Sequence, residues 1–428
     1  MAYTSRIYLL LAFLLFAPVL EINGHRIHIT EFYLYLSFLI NCRHFIKNQA
    51  AVIFLQYAIL FFVMVIFVGL LNTQPPNNHD IFILRSCVQT SIVILLFSYY
   101  FNKARNSVVK RNQFERFFFR CLMITALPIF FVFLQKINIF NARDIIPALY
   151  KPQFHYLGKS VFSEFRYTAI FKDFFTAAVY SSVAGTIIYY YSLKNEVKGI
   201  IKLLSFGLLA SVYAAQFFIA RTSMLLLPFS WIMITIIAFR SYWLKYTKRL
   251  AFLLLLVIPL AWLTVNFNFS QYINLKWVMA GFSILTNDTP GSSTSFIVMQ
   301  DWNTNFLDYL RNNAWVLIKP FHTYNLTMTS APNLYTDSFY PQEIYRYGIY
   351  GIIIYAFLVI SLLVYAIKRS WPLVWLIIMM AILNYKGGNV FMMEKNIYLY
   401  GFLFAILPIY QQYVQNEQSY NIERCGNA

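Results

Sequence analysis

Charge is what this 428-residue chain has least of. Only 12% of its residues are Asp, Glu, Lys or Arg, while 60% are hydrophobic and the mean hydropathy is +0.58. So few polar side chains cannot cover a water-soluble globule, and a soluble protein is excluded. Acids are scarcer than bases, 16 against 34, for a net charge of +18. The cations scatter among short polar stretches instead of gathering on one polar domain, which argues against a nucleic-acid partner. There are four cysteines: Cys42, Cys87 and Cys121 lie in or beside apolar segments and Cys425 sits in the tail. No disulfide framework is expected from them. No Cys/His cluster has metal-ligand spacing, so a structural zinc site is not expected. Internal repeats and low-complexity sequence are absent. No Gly/Pro-broken apolar segment recurs at matching positions, as it would in an inverted-repeat transporter.

What the chain does have is apolar sequence in lengths that suit a bilayer, about 20 residues per crossing. The segments 5–20, 30–42, 51–71, 85–101, 117–135, 169–191, 200–220, 223–240, 250–266, 347–367, 371–385 and 396–413 each read as a span. The first follows a single base, Arg6, and has no small-x-small site after it, so it reads as a retained span and not a cleaved signal. The expected fold class is all-α. The chain is expected to be a polytopic integral membrane protein of about 12 transmembrane helices, with residues 1–428 forming one membrane domain.

The bases set the orientation. With the N-terminus inside, the short inner loops carry Arg43 and Lys47; Lys103, Arg105, Lys110, Arg111 and Arg116; Lys194 and Lys198; Arg240, Lys245, Lys248 and Arg249; and Lys368 and Arg369. The short outer loops and their edges hold only Arg26, Arg85, Arg221, Lys386 and Lys395. This positive-inside asymmetry puts both termini inside and turns the two long loops, 136–168 and 266–346, outward.

The larger loop contains five of the sixteen acids, Asp288, Asp301, Asp308, Asp337 and Glu343, among Trp277, Trp302, Tyr309, Trp315, Tyr324, Tyr335 and Tyr340. Rings interspersed with carboxylates suit a carbohydrate, whose C–H faces stack and whose hydroxyls need acceptors. An aromatic belt at the membrane interface produces the same composition. Three patterns narrow the choice. Glu164-Phe165-Arg166 opens one span, with Lys172 and Asp173 a turn or so inside it. Arg221-Thr222-Ser223 sits in a tight outer turn. Guanidinium forks at one depth grip phosphate oxygens with two bonds each, although a lone arginine at an interface also snorkels without function. Asp337-Ser338-Phe339-Tyr340 then leads through Glu343 and Arg346 to Gly348 and Gly351, small residues that permit close backbone approach.

In their order along the chain, these patterns resemble the O-antigen polymerase (Wzy) family, which is related in architecture to the O-antigen ligases. Arg166 with Phe171 and Asp173 is similar to that family's first motif. Arg221-Thr222-Ser223 is similar to the second, and Asp337-Ser338-x-Tyr340 through Gly348 and Gly351 to the third. Ala220 stands at the usual serine position, Phe174 at the common proline, and Asp337 where ligases carry histidine. The resemblance implies a bacterial inner-membrane glycosyltransferase with both long loops periplasmic. Its donor would be an undecaprenyl-diphosphate-linked oligosaccharide, transferred to a hydroxyl of another lipid-linked repeat unit. Arg166 and Arg221 would stabilise the leaving diphosphate. Asp337 would be the leading base, with His322 and Glu343 as alternatives, and Arg346, Lys172 and Asp173 would bind substrate. The lipid bilayer and a chain-length regulator protein are the implied partners. Neither metal nor cofactor is called for, because arginines supply the positive charge. A ligase-like transferase and a lipid-linked oligosaccharide flippase are the competing readings.

The orientation is open to test by cysteine labelling. In Asp301→Cys, a membrane-impermeant thiol reagent is expected to react with the inner membrane intact; reaction only after that membrane is opened contradicts the assigned topology.

Overall fold

A computed structural model describes residues 2–22, 25–44, 48–107, 111–152, 167–194, 200–238, 295–322, 339–385 and 389–426. The chain divides into two compact units, residues 1–121 with 297–428, and residues 122–296. The expected span 250–266 and most of the 266–346 loop lie outside the described residues.

The first unit is built from α1 (Ala2–Phe16), α2 (Ile29–Asn41), α3 (Gln49–Asn72), α4 (Asn78–Ser107), the start of α5 (Arg111–Ile137), α10 (Ser295–Asn312), α11 (Phe339–Arg369), α12 (Trp371–Leu383) and α13 (Glu394–Gly426). The second unit holds the remainder of α5, then α6 (Ala142–Tyr150), α7 (Phe174–Lys194), α8 (Ile200–Ile219) and α9 (Arg221–Ala238). The described residues are helical as the all-α expectation has it, apart from one short ribbon. Val19–Ile22 and His25–His28 form a two-stranded antiparallel ribbon, Val19 facing His28 and Ile22 facing His25.

Among the described residues four helices are long and apolar enough to cross a membrane: Gln49–Asn72, Asn78–Asn106, Gln113–Ile137 and Phe339–Arg369. α1, α8, α9 and α12 contain shorter apolar stretches. The surface of α11 shows what surrounds it. Ile349, Ile353, Phe357, Ile360, Val364 and Ile367 form an exposed stripe at helical spacing, while Tyr355, Leu358, Leu362 and Tyr365 are buried behind it. In water such a stripe of exposed aliphatics is unfavourable; facing lipid it costs nothing. The chain is a membrane protein.

Helix ends follow from local chemistry. Asn48 caps α3, its Oδ1 accepting from the Ala50 amide at 2.9 Å. At the other end Thr73 turns left-handed (φ 53°), and the Gln74 amide bonds back to the Gly69 carbonyl at 2.9 Å. A Cβ on Gly69 would lie 2.7 Å from the Gln74 carbonyl oxygen, so this tight return requires glycine. α4 and α13 pack along each other, as do α3 and α4, and α11 lies against α3 and α12. In the second unit α7 packs on both α8 and α9. Gly185 lets them close in, since a Cβ there would sit 3.0 Å from Leu227 and 3.1 Å from Val212.

The feature that governs the first unit is a break in α11. The helix begins at Phe339, earlier than the expected 347, because Pro341 falls in the first turn, where its missing N–H has no helical partner to lose. It then kinks at Gly348, whose backbone (φ 64°, ψ −149°) is open only to glycine. The kink interrupts the hydrogen-bond ladder and frees carbonyls just before it. The amides of Phe321 and His322 take them up, bonding the carbonyls of Tyr345 at 3.0 Å and Arg346 at 3.1 Å. The 3₁₀ turn Ala314–Leu317 closes over the glycine, and a Cβ there would strike the Leu317 carbonyl oxygen.

Gly348→Ala therefore combines a forbidden backbone with a clash. It is expected to destabilise the detergent-solubilised protein by about 3 kcal/mol or more, read as a lowered unfolding midpoint. An unchanged midpoint contradicts the kink.

Candidate functional site

At the end of the first unit where α3 stops and α4 and α11 begin, ionisable side chains are buried together. Asp80, in the first turn of α4, is fully buried. It belongs to a reciprocal cap: Asn77 Oδ1 accepts from the amides of His79 at 2.9 Å and Asp80 at 3.1 Å, and Asp80 Oδ2 accepts from the Asn77 amide at 2.7 Å. The same Oδ2 lies 3.2 Å from His322 Nε2, and Oδ1 accepts the Tyr347 hydroxyl. One carboxylate thus joins the start of α4, the segment ending at His322 and the kinked part of α11. The Tyr347 ring packs edge-on to Phe61 of α3, their centroids 5.4 Å apart. Gly69, at the end of α3, lies beside the imidazole, a Cβ built on it being 3.8 Å from His322 Cε1.

One turn before Tyr347, Glu343 is 2% exposed. Its Oε1 is 3.7 Å from Arg346 Nη1 and 3.7 Å from His79 Nε2, with no hydrogen bond to either. Arg346 donates from Nη1 to His79 Nε2 at 2.9 Å and from Nη2 to Gln342 Oε1 at 3.0 Å. A nitrogen that accepts from a guanidinium is an unprotonated one, so His79 is neutral in this arrangement. The cluster therefore offers an acid, a guanidinium and an imidazole whose second nitrogen, His322 Nδ1, is buried without a hydrogen-bond partner among the described residues. Those are the groups that proton transfer beside an anionic leaving group needs. Among the described residues no group of three His, Cys, Asp or Glu side chains is disposed to hold a metal ion.

Of the residues singled out in the sequence, His322, Glu343 and Arg346 come together here. Asp337 and Arg166 lie outside the described residues. Arg221 is the first residue of α9 in the second unit. Lys172 and Asp173 precede α7 in that unit, and Asp173 acts as a helix cap, its Oδ1 accepting from the Thr176 amide at 2.6 Å. Asn77, His79, Asp80 and Tyr347 escaped the sequence reading. Their signal was the polar run Asn77-Asn78-His79-Asp80 between two long apolar segments, where an acid and an imidazole open a span.

A second buried polar group lies in the same unit. Glu31 Oε2 is 3.8 Å from Arg85 Nη1, His28 Nε2 is 3.5 Å from Glu394 Oε2, and Thr30 Oγ1 shares a hydrogen bond of 2.8 Å with the Tyr398 hydroxyl. Lys395 Nζ donates to the Leu15 and Ala17 carbonyls at 2.8 and 3.2 Å, tying the end of α1 to the start of α13.

No protein-family model, curated protein or solved structure matches the chain.

Removing one partner of a buried ion pair strands the other. Arg346→Met is expected to cost about 3–5 kcal/mol, and adding Glu343→Gln to it should recover most of that loss in the unfolding midpoint. Strict additivity of the two substitutions contradicts the coupling.

Proposed function

We propose that the protein is an O-antigen polymerase-type glycosyltransferase of the bacterial inner membrane, with about twelve spans and both long loops periplasmic. One observation carries the reading: His322, Asp80, Glu343 and Arg346 are buried together at the end of the first unit opposite the cationic ends of α4 and α11. Ionisable groups at the end of membrane helices are costly and need a reason, and the positive-inside rule turns this end outward. The order of the Arg166, Arg221 and Asp337 motifs supports the same assignment.

In this reading the donor is a glycan on undecaprenyl diphosphate. A hydroxyl of a second lipid-linked repeat unit attacks the anomeric carbon, the bond to the diphosphate oxygen breaks, and the diphosphate leaves with the electron pair. By the motif resemblance Arg166 and Arg221 would grip the diphosphate, Lys172 and Asp173 would bind substrate, and Arg346 would hold the acceptor or a second phosphate. Asp337 is the leading base, with His322 and Glu343 as alternatives. The N-termini of α4, α11 and α13 lie at the end of the unit that meets the substrate, and their dipoles favour its negative charge.

One observation favours a carrier instead: the His28–Glu394 pair and the Glu31 carboxylate beside Arg85 are buried, as the ion sites of transporters are. The glycan profile of cells lacking the protein separates these readings. Collapse of the polysaccharide ladder to a single repeat unit is the expected result. Complete loss of attached polysaccharide points to a ligase or a flippase, and an unchanged ladder removes the polymerase reading. In cells expressing Arg166→Ala or Arg221→Ala, the ladder should collapse with the protein still in the membrane, and lysine at either site should restore only part of it.

A further inference from the structure

We propose that Asp80 is a positioning residue that fixes His322 in the tautomer whose Nδ1 is the general base of glycosyl transfer. The proposal rests on the polymerase reading and selects one base from its three candidates.

Asp80 has no donor of its own when ionised and is surrounded by donors: the Asn77 amide at 2.7 Å, the Tyr347 hydroxyl and His322 Nε2 at 3.2 Å. In the neutral imidazole, Nε2 facing an acceptor-only carboxylate carries the proton, which leaves the lone pair on Nδ1. The main chain that carries the ring is held as well: its amide donates to the Arg346 carbonyl at 3.1 Å, and Asn77 Nδ2 donates to its carbonyl at 3.4 Å.

A purely architectural role explains the three bonds to Asp80 and stops there. Two features remain. His322 Nδ1 is buried with no hydrogen-bond partner among the described residues, a state that buried polar atoms rarely occupy. His322 also has a left-handed backbone (φ 53°), an uncommon conformation for a residue with a β-carbon. An unpaired acceptor on a held ring is what a base awaiting a hydroxyl proton requires. In the step itself Nδ1 takes the proton of the acceptor hydroxyl as that oxygen bonds to the anomeric carbon. The carbon–oxygen bond to the diphosphate breaks, and the imidazolium that results is stabilised by the Asp80 carboxylate.

The test uses the full-length protein, labelled with ¹⁵N-histidine and reconstituted in nanodiscs, with the His322 signal assigned by its loss in His322→Asn. The wild type is expected to carry its proton on Nε2 and none on Nδ1, and Asp80→Asn to destroy that preference. With lipid-linked repeat units as substrate, Asp80→Asn should lower kcat about a hundredfold or more with KM changed less than about threefold, and the Asp80→Asn/His322→Asn double variant should be no slower than His322→Asn alone. A proton on Nδ1 in the wild type overturns the proposal, and so does near-normal chain extension by Asp80→Asn. If the wild type shows the Nε2 tautomer but extends no chains, the polymerase reading fails while the positioning of His322 by Asp80 stands.

Discussion

The buried carboxylate of Asp80 is the interaction on which the first unit depends. A negative charge away from water is tolerable only with donors around it, and Asp80 draws one from each of three pieces of chain: the Asn77 amide, the Tyr347 hydroxyl and His322 Nε2. These pieces are far apart in sequence, and satisfying one acid holds them at one end of the bundle. Removing the carboxylate would leave three buried donors unpaired at once, so its effect exceeds that of any single hydrogen bond.

The backbone arranges the partners before the side chains meet. Gly348 breaks α11, the break frees the Tyr345 and Arg346 carbonyls, and the amides of Phe321 and His322 fill them. His322 is thereby delivered to Asp80 by main-chain bonds, while Tyr347 arrives from the turn that precedes the kink. Gly348 also lets Leu317 press on α11, and Gly69 lets the chain turn back tightly at the end of α3. A proline in the first turn, a glycine at the break and an exposed aliphatic stripe beyond it give α11 its two halves, one polar and buried, the other facing lipid.

Much of this was legible in the order of residues, for reasons that differ from place to place. Long apolar runs announce helices because a bilayer demands about 20 such residues, and α3, α4, α5 and α11 are the clearest cases. Gly348 and Gly351 were marked as positions of close approach, and Gly348 is where the chain breaks. The start of α11 was not visible, because Pro341, Glu343 and Arg346 read as loop composition, whereas the first turn of a helix accepts proline and a partner can satisfy buried charge. The ribbon of Val19–Ile22 with His25–His28 is short enough to hide between two apolar segments. Asp80 was missed for a different reason: its importance comes from Tyr347 and His322, 267 and 242 positions away, and no local pattern carries such a contact.

The functional account stands on the docking of residues 320–322 into the broken part of α11 and onto Asp80. Amide hydrogen exchange of the protein in nanodiscs tests this most directly. The amides of Phe321 and His322 should exchange slowly in the wild type and rapidly in Asp80→Ala, with the interior of α3 equally protected in both. Rapid exchange at Phe321 and His322 in the wild type would contradict the account.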